Sequence, residues 1–220
     1  MRMSKLSRIE NSRRSYLSRI SGRRFSDLLL LASTTVELTL LMLLTPNFTV
    51  TDWIYVTQHL TVLVIAATRA PAKQVDRSLP TALAVVASYA YPYAQVIYLG
   101  WIPGDAVWPS GGLVLVIFSA CLSLASLFSL GRLFGIRPAL RDLATRGPYR
   151  LVRHPMYLSY ILGDIGYNLQ EWNFGTALMV IAGWVSLFWR IQAEERILAG
   201  SPGWPAYTAS VRYRLIPGFW

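Results

Sequence analysis

The chain is poor in the residues on which soluble chemistry leans. Its 220 residues include one cysteine, two histidines and eleven Asp/Glu. A lone Cys121 excludes a disulfide within the chain and any cysteine-built metal site, and in mid-helix it reads as a small core residue. No metal is expected. There is no glycine fingerprint of a βαβ nucleotide unit, so a soluble dinucleotide or methyl-donor fold has no support. No repeat of fixed period occurs. Charged residues make up only 15% of the chain against 54% apolar, far from the balance of an ordinary soluble domain.

What the chain does have is apolar runs, at 28–44, 53–68, 79–99, 111–130, 156–169 and 174–189. A bilayer core takes about 20 mostly apolar residues per helix. Two runs reach that length and the others draw on flanking residues, the fifth being the weakest by hydropathy. The reading is an all-α polytopic membrane bundle of about six transmembrane helices. All 21 Lys and Arg lie in the N-terminal 25 residues, the second and fourth linkers and the segment after the sixth helix. The alternate linkers carry only Asp52, Asp105 and Glu171. By the positive-inside rule both termini and the fourth linker are cytoplasmic. The net charge of +10 is then an orientation signal, and no nucleic-acid partner is expected.

The chain divides into a basic arm over 1–25, a four-helix membrane bundle over 26–131, and a catalytic region over 132–220 with two membrane helices and a cytoplasmic cofactor pocket. The arm spaces Leu6, Ile9, Tyr16, Leu17 and Ile20 among arginines and serines, as an amphipathic helix on anionic lipid does. An organellar transit peptide has a similar composition, whereas the apolar core and cleavage site of a secretory signal are missing. The expected location is a bacterial inner membrane, or the endoplasmic reticulum in a eukaryote, with the working face toward the cytoplasm.

Chemistry concentrates in the last third. Gly147-Pro148-Tyr149-Arg150-Leu151-Val152-Arg153-His154-Pro155-Met156-Tyr157 precedes the fifth apolar run. Pro155 suits the first turn of a helix, which puts His154 near its N-cap. On that helix Tyr157, Tyr160, Asp164 and Asn168 share one side. Ser159, Gly163 and Gly166 form an opposite, small side suited to close packing in lipid. Asp164 is a functional candidate by its depth, or a structural partner of a tyrosine. Glu37 in the first helix needs a partner for the same reason, and Pro92 in the third frees a backbone carbonyl.

The sixth helix continues through Arg190 to Glu194-Glu195-Arg196. Arg190 and Glu194 stand four apart and can pair. Glu195 is turned about 100° from Glu194, so the two carboxylates should have different partners. The tail Tyr207 to Pro217 adds aromatics and cations. Such a mouth offers arginines to a carboxylate, glutamates to a cation or hydroxyls, and rings for stacking. It suits a zwitterionic, nucleotide-like cofactor, with a lipid arriving sideways between helices.

Arg153-His154-Pro155-Met156-Tyr157 followed by Glu194-Glu195 resembles the RHPxYxG … EE signature of the isoprenylcysteine carboxyl methyltransferase family. Gly147-Pro148-Tyr149 and the closing Tyr207, Arg212 and Pro217 are similar too. The resemblance covers roughly residues 126–220, with Ser159 where the family has glycine. It implies an integral-membrane enzyme that uses S-adenosylmethionine. Tyr149, Arg153, His154, Pro155, Tyr157, Glu194, Glu195 and Tyr207 would then bind cofactor. Arg190, or an arginine of the tail, would hold an acceptor carboxylate. His154 or Asp164 would act as base if the acceptor were an amine or hydroxyl. The acceptor would be a lipophilic small molecule or a prenylated substrate, most simply a carboxylate of isoprenylcysteine type, taken from among membrane lipids. A phospholipid or amine acceptor is the variant of that reading. Sterol-type membrane reductases, which use NADPH, resemble the ending Tyr213-Arg214-Leu215-Ile216-Pro217. Their usual arginine-aspartate-glutamate run is replaced here by Ala193-Glu194-Glu195, which favours methyl transfer.

Overall fold

A computed structural model describes residues 32–220 except 37, 46 and 69. The basic arm and Glu37 therefore lie outside the described residues. The chain is mostly helical. Helix α1 (Ala32–Leu44) is followed by α2 (Val50–Ala67), α3 (Leu79–Trp101), α4 (Pro109–Leu130), α5 (Pro155–Gln170), α6 (Phe174–Leu198) and a short α7 (Trp204–Ser210). Four of these, α2, α3, α6 and α4 with its extension to Leu133, are long and apolar enough to cross a membrane. The 16 residues of α5 span about 24 Å at 1.5 Å per residue, short of a hydrocarbon core of about 30 Å. Of the six expected spans, four have full length among the described residues; α5 is shorter, and the first, expected over 28–44, lies only partly within them.

The helix ends follow from local chemistry. Thr49 and Asp52 form a reciprocal capping box at α2, in which the Asp52 carboxylate accepts from the Thr49 N–H at 2.8 Å. Asn173 caps α6 by accepting from the Gly175 N–H at 2.8 Å. Pro155 opens α5 at a position where a missing N–H costs nothing. Helix α3 continues through Pro92 without an end there.

Helix α5 lies along α4, and α6 along α3. The first pair meets through the small residues of α5. The Ser119 hydroxyl donates to the Ser159 carbonyl at 2.7 Å, and a Cβ added at Gly112 would stand 2.5 Å from the Gly166 carbonyl oxygen. In the second pair the Tyr91 ring fills the space beside Gly183, where an added Cβ would stand 2.7 Å from it. Both pairs join the first two-thirds of the chain to the last third.

At one end of the bundle the second and fourth linkers meet. Strands β1 (Gln74–Val75) and β2 (Ala139–Leu140) pair antiparallel, the one departure from an all-α fold among the described residues. The Ala70 N–H donates to the Arg132 carbonyl at 2.7 Å and Arg141 Nε to the Ala70 carbonyl at 3.0 Å. At the opposite end Asp105 and Trp172 exchange backbone hydrogen bonds of 2.8 and 2.7 Å. The basic linkers thus share one end of the bundle, and the linkers carrying Asp105 and Glu171 share the other.

Close packing of α4 on α5 gives the first prediction. Gly112→Ala should cost about 1–3 kcal/mol through overpacking against backbone that cannot yield. Gly100→Ala, whose added Cβ meets only Leu44 at 3.5 Å, should leave stability unchanged. Melting temperatures of the two variants in detergent compare them directly.

Candidate active site

The motif turn is fixed by its backbone. Gly147 adopts φ +56°, a left-handed conformation that glycine takes without steric cost, and starts a tight 3₁₀ turn over Gly147–Arg150. The turn buries Tyr149, whose carbonyl accepts from the Tyr207 hydroxyl at 2.9 Å. Burial, the largest cause, pushes the Tyr149 phenol well above its ordinary value and Tyr207 up to about 12. Both hydroxyls therefore stay protonated donors at neutral pH. Next, the Arg153 N–H donates to the Tyr213 carbonyl at 2.9 Å and the His154 N–H to the Arg214 carbonyl at 2.8 Å. The tail lies alongside the motif, strand-like, through these two bonds.

The side chains of Glu195 and its partners lock that arrangement. Arg153 Nε donates to Glu195 Oε1 at 2.7 Å, while Arg214 Nε and Nη2 reach Oε2 at 2.9 and 2.8 Å. His154 Nε2 lies 3.3 Å from Oε1. Arg153 also donates through Nη1 to the Val211 and Arg212 carbonyls at 3.0 and 2.6 Å. One carboxylate thus joins α6, the motif turn and the tail.

Glu194 has other partners, as the helical geometry requires. It accepts from the Tyr157 hydroxyl, and its Oε2 is 3.8 Å from His154 Nδ1. His154 is buried between the two carboxylates and stacks on Tyr157 at 5.8 Å between centroids.

Arg190 departs from expectation. Its guanidinium does not pair with Glu194. Instead Nη1 donates to Ser88 Oγ at 2.8 Å and Nη2 to the Ile136 carbonyl at 2.9 Å, with the Tyr157 and Tyr89 rings 5.3 and 5.7 Å away. The reason is reach: α3 and the fourth linker both pack against this face of α6, and the fixed fork of arginine suits two such acceptors. Nε is buried with no hydrogen-bond partner.

Two cavities flank Arg190. The first opens at the motif end and is lined by Tyr149, Arg153, His154, Tyr157, Glu194 and Tyr207 among others. Pro155 and Glu195, also expected there, do not line it. Pro155 is fully buried in the first turn of α5, and the Glu195 oxygens are taken by the two arginines. The second cavity runs deeper between the helices and holds Asp164. The Asp164 carboxylate accepts from the Tyr91 hydroxyl at 3.0 Å and from Trp184 Nε1 at 2.8 Å, so it ties α5 to α3 and α6 at a distance from the motif turn. Tyr89, Tyr160 and Arg190 belong to both cavities and form the partition between them.

Several of these residues lay beyond sequence reasoning. Tyr89 and Ser88 sit in α3, far along the chain, and carry no motif. Arg137 and Trp204 line the first cavity without any distinguishing spacing. In the tail it is Arg214, not Arg212, that reaches Glu195. Arg214 is itself one of the two tail residues, with Tyr213, whose carbonyls accept from the motif backbone.

These features define a helical integral-membrane protein with a buried polar mouth at the end of its bundle, next to a deeper cavity between the helices. Residues 112–200 match the Isoprenylcysteine carboxyl methyltransferase (ICMT) family, which supports the resemblance carried by the motif turn and the acid pair. The match covers α5, nearly all of α4 and the whole of α6 with its acid pair. The tail and α3 lie outside it. No curated protein matches the chain.

The lock on Glu195 is testable by itself. Glu195→Gln leaves two arginines facing a neutral amide in a site where the carboxylate side chain is only 12% exposed. Removing one partner of such a buried pair should cost about 3 kcal/mol. A double-mutant cycle with Arg214→Met, read by melting in detergent, should return a coupling of at least about 1 kcal/mol.

Proposed function

We propose that the protein transfers a methyl group from S-adenosylmethionine to the carboxylate of a lipophilic acceptor. The observation that carries this reading is the partition. One buried arginine with an unpaired Nε stands between a polar cavity and a deeper one between helices. A cofactor on one side and a lipid on the other would meet there.

The donor set of the first cavity fits a zwitterionic nucleoside cofactor. Arg137 lines it and has no hydrogen-bond or ion-pair partner among the described residues, which leaves a cation for the amino-acid carboxylate. Glu194, engaged only from the Tyr157 and His154 side, can accept from an ammonium or from ribose hydroxyls. Trp204, Tyr149 and Tyr207 offer faces for a purine. Glu195 takes part as the residue that fixes Arg153 and His154, without touching the cofactor. When bound, S-adenosylmethionine supplies a sulfonium methyl, whose carbon bonds to the acceptor oxygen as the carbon–sulfur pair returns to sulfur.

Arg190 does the work expected of the protein in such a displacement. Its Nε can donate to the acceptor carboxylate while Nη1 and Nη2 stay anchored, so the oxygen is aimed without loosening the guanidinium. Rate then comes from alignment and exclusion of water. A carboxylate is already deprotonated, so no general base is needed, and the Asp164 carboxylate remains on its Tyr91 and Trp184 donors. The basic end of the bundle would face the cytoplasm by the positive-inside rule, where the cofactor is supplied.

Calorimetry in detergent tests the cofactor. S-adenosylhomocysteine should bind and NADPH should not, with His154→Ala weakening the former at least tenfold. Binding of NADPH alone would favour a reductase, and silence for both would remove the enzyme reading. A second test addresses Arg190. Arg190→Lys should lower kcat/KM about 100-fold, equivalent to about 2.7 kcal/mol of transition-state stabilisation, with cofactor affinity kept within a few-fold. A parallel loss of cofactor binding would put the acceptor carboxylate elsewhere.

A further inference from the structure

We infer that the second cavity reads a second polar group on the acceptor, about two helical turns from the carboxylate that is methylated, and that Gln95 is the residue that reads it. This rests on the methyl-transfer reading above for the position of the carboxylate at Arg190.

The walls of the second cavity include Leu41, Val62, Val96, Val116 and Leu187, as a hydrocarbon chain requires. Gln95 breaks this surface. It lies in α3, lines the cavity and is 7% exposed, yet its side-chain Nε2 has no hydrogen-bond partner. A buried amide left unpaired is a standing cost to the fold, and such exceptions call for a cause. Two other polar residues of the cavity wall have partners elsewhere. Asp164 accepts from Tyr91 and Trp184, and the Thr51 hydroxyl donates to Gln170 Oε1 at 2.7 Å.

Position along α3 supplies the spacing. Ser88 holds Arg190 through Nη1. Gln95 follows seven residues later, two turns along nearly the same helix face and about 10 Å further by helical rise. Arg190 and Gln95, each with an unpaired nitrogen, thus both line this cavity about two turns of α3 apart. A plain hydrocarbon tail would leave Gln95 unpaired. A hydroxyl or carbonyl at that depth would pair it, and because the amide can turn end for end either chemistry is accommodated. The acceptor class is a lipophilic acid with a hydroxyl or oxo group near its far end. A site built to hydrogen-bond a hydroxyl discriminates strongly against the analogue that lacks it.

The full chain in detergent, saturated with S-adenosylhomocysteine, tests this with decanoate and 10-hydroxydecanoate as probes in equilibrium binding. The hydroxy acid should bind at least tenfold more tightly than decanoate. Gln95→Leu should abolish that difference and also melt at a higher temperature, because an unpaired buried amide has been replaced by apolar atoms. A structural glutamine would instead lower the melting temperature when replaced. Equal affinities in the unaltered protein, failure of both acids to bind, or a preference that survives Gln95→Leu would overturn the inference. A preference for the hydroxy acid with no methyl transferred from labelled S-adenosylmethionine would support the role of Gln95 and count against methyl transfer alone.

Discussion

Everything at the working end of this protein depends on one carboxylate being shared by two arginines. Glu195 accepts from Arg153 of the motif turn and from Arg214 of the tail, while its own helix carries Glu194 beside it and Arg190 between one and two turns back. Two cations share one anion in a place with little water, and Nη1 of Arg153 donates to two backbone carbonyls. The cost of burial is met locally, which is the condition for a buried ion pair to hold a structure together.

From that knot the division of labour between the two glutamates follows. Successive residues on a helix diverge by about 100°, so Glu195 can face the turn and the tail while Glu194 faces Tyr157 and the cavity. His154 sits between them and is positioned by both. The aromatic side chains then form the cavity wall, kept protonated as hydrogen-bond donors where burial raises Tyr149 and Tyr207. Arg190 is held separately, by α3 and by the fourth linker, so the partition between the two cavities is independent of the cofactor side. Under the proposed reading, a polar ligand and an apolar one would approach a single guanidinium from the two cavities.

The bundle that supports this site is economical with side chains. Gly112, Gly166, Ser119 and Ser159 let α4 and α5 approach until backbone oxygens limit them, the expected solution where lipid offers no hydrophobic drive between helices. Asp164 then ties three helices through Tyr91 and Trp184. In sequence Asp164 reads equally as a reactive group or as a structural partner of a tyrosine, and the structure supplies Tyr91 and Trp184 as its donors. The two readings differ only in what α3 and α6 bring to it.

Sequence alone determined the helical class, the order of the apolar helices, the start of α5 at Pro155 and the need for Glu194 and Glu195 to have different partners. Those are consequences of hydropathy, proline geometry and helical periodicity, which act over a few residues. It also carried the family resemblance, because the motif and the acid pair are each a short contiguous run. What only the tertiary structure decided is which distant groups meet. The pairing of Arg190 with Ser88 and Ile136 in place of Glu194, the selection of Arg214 over Arg212, and the withdrawal of Glu195 from the cavity wall all depend on how α3, the fourth linker and the tail pack against α6. No local rule specifies contacts between segments separated by 19 to 102 positions. The unpaired nitrogens of Gln95 and Arg190 belong to the same category, since a side chain's lack of a partner exists only once every neighbour has been placed.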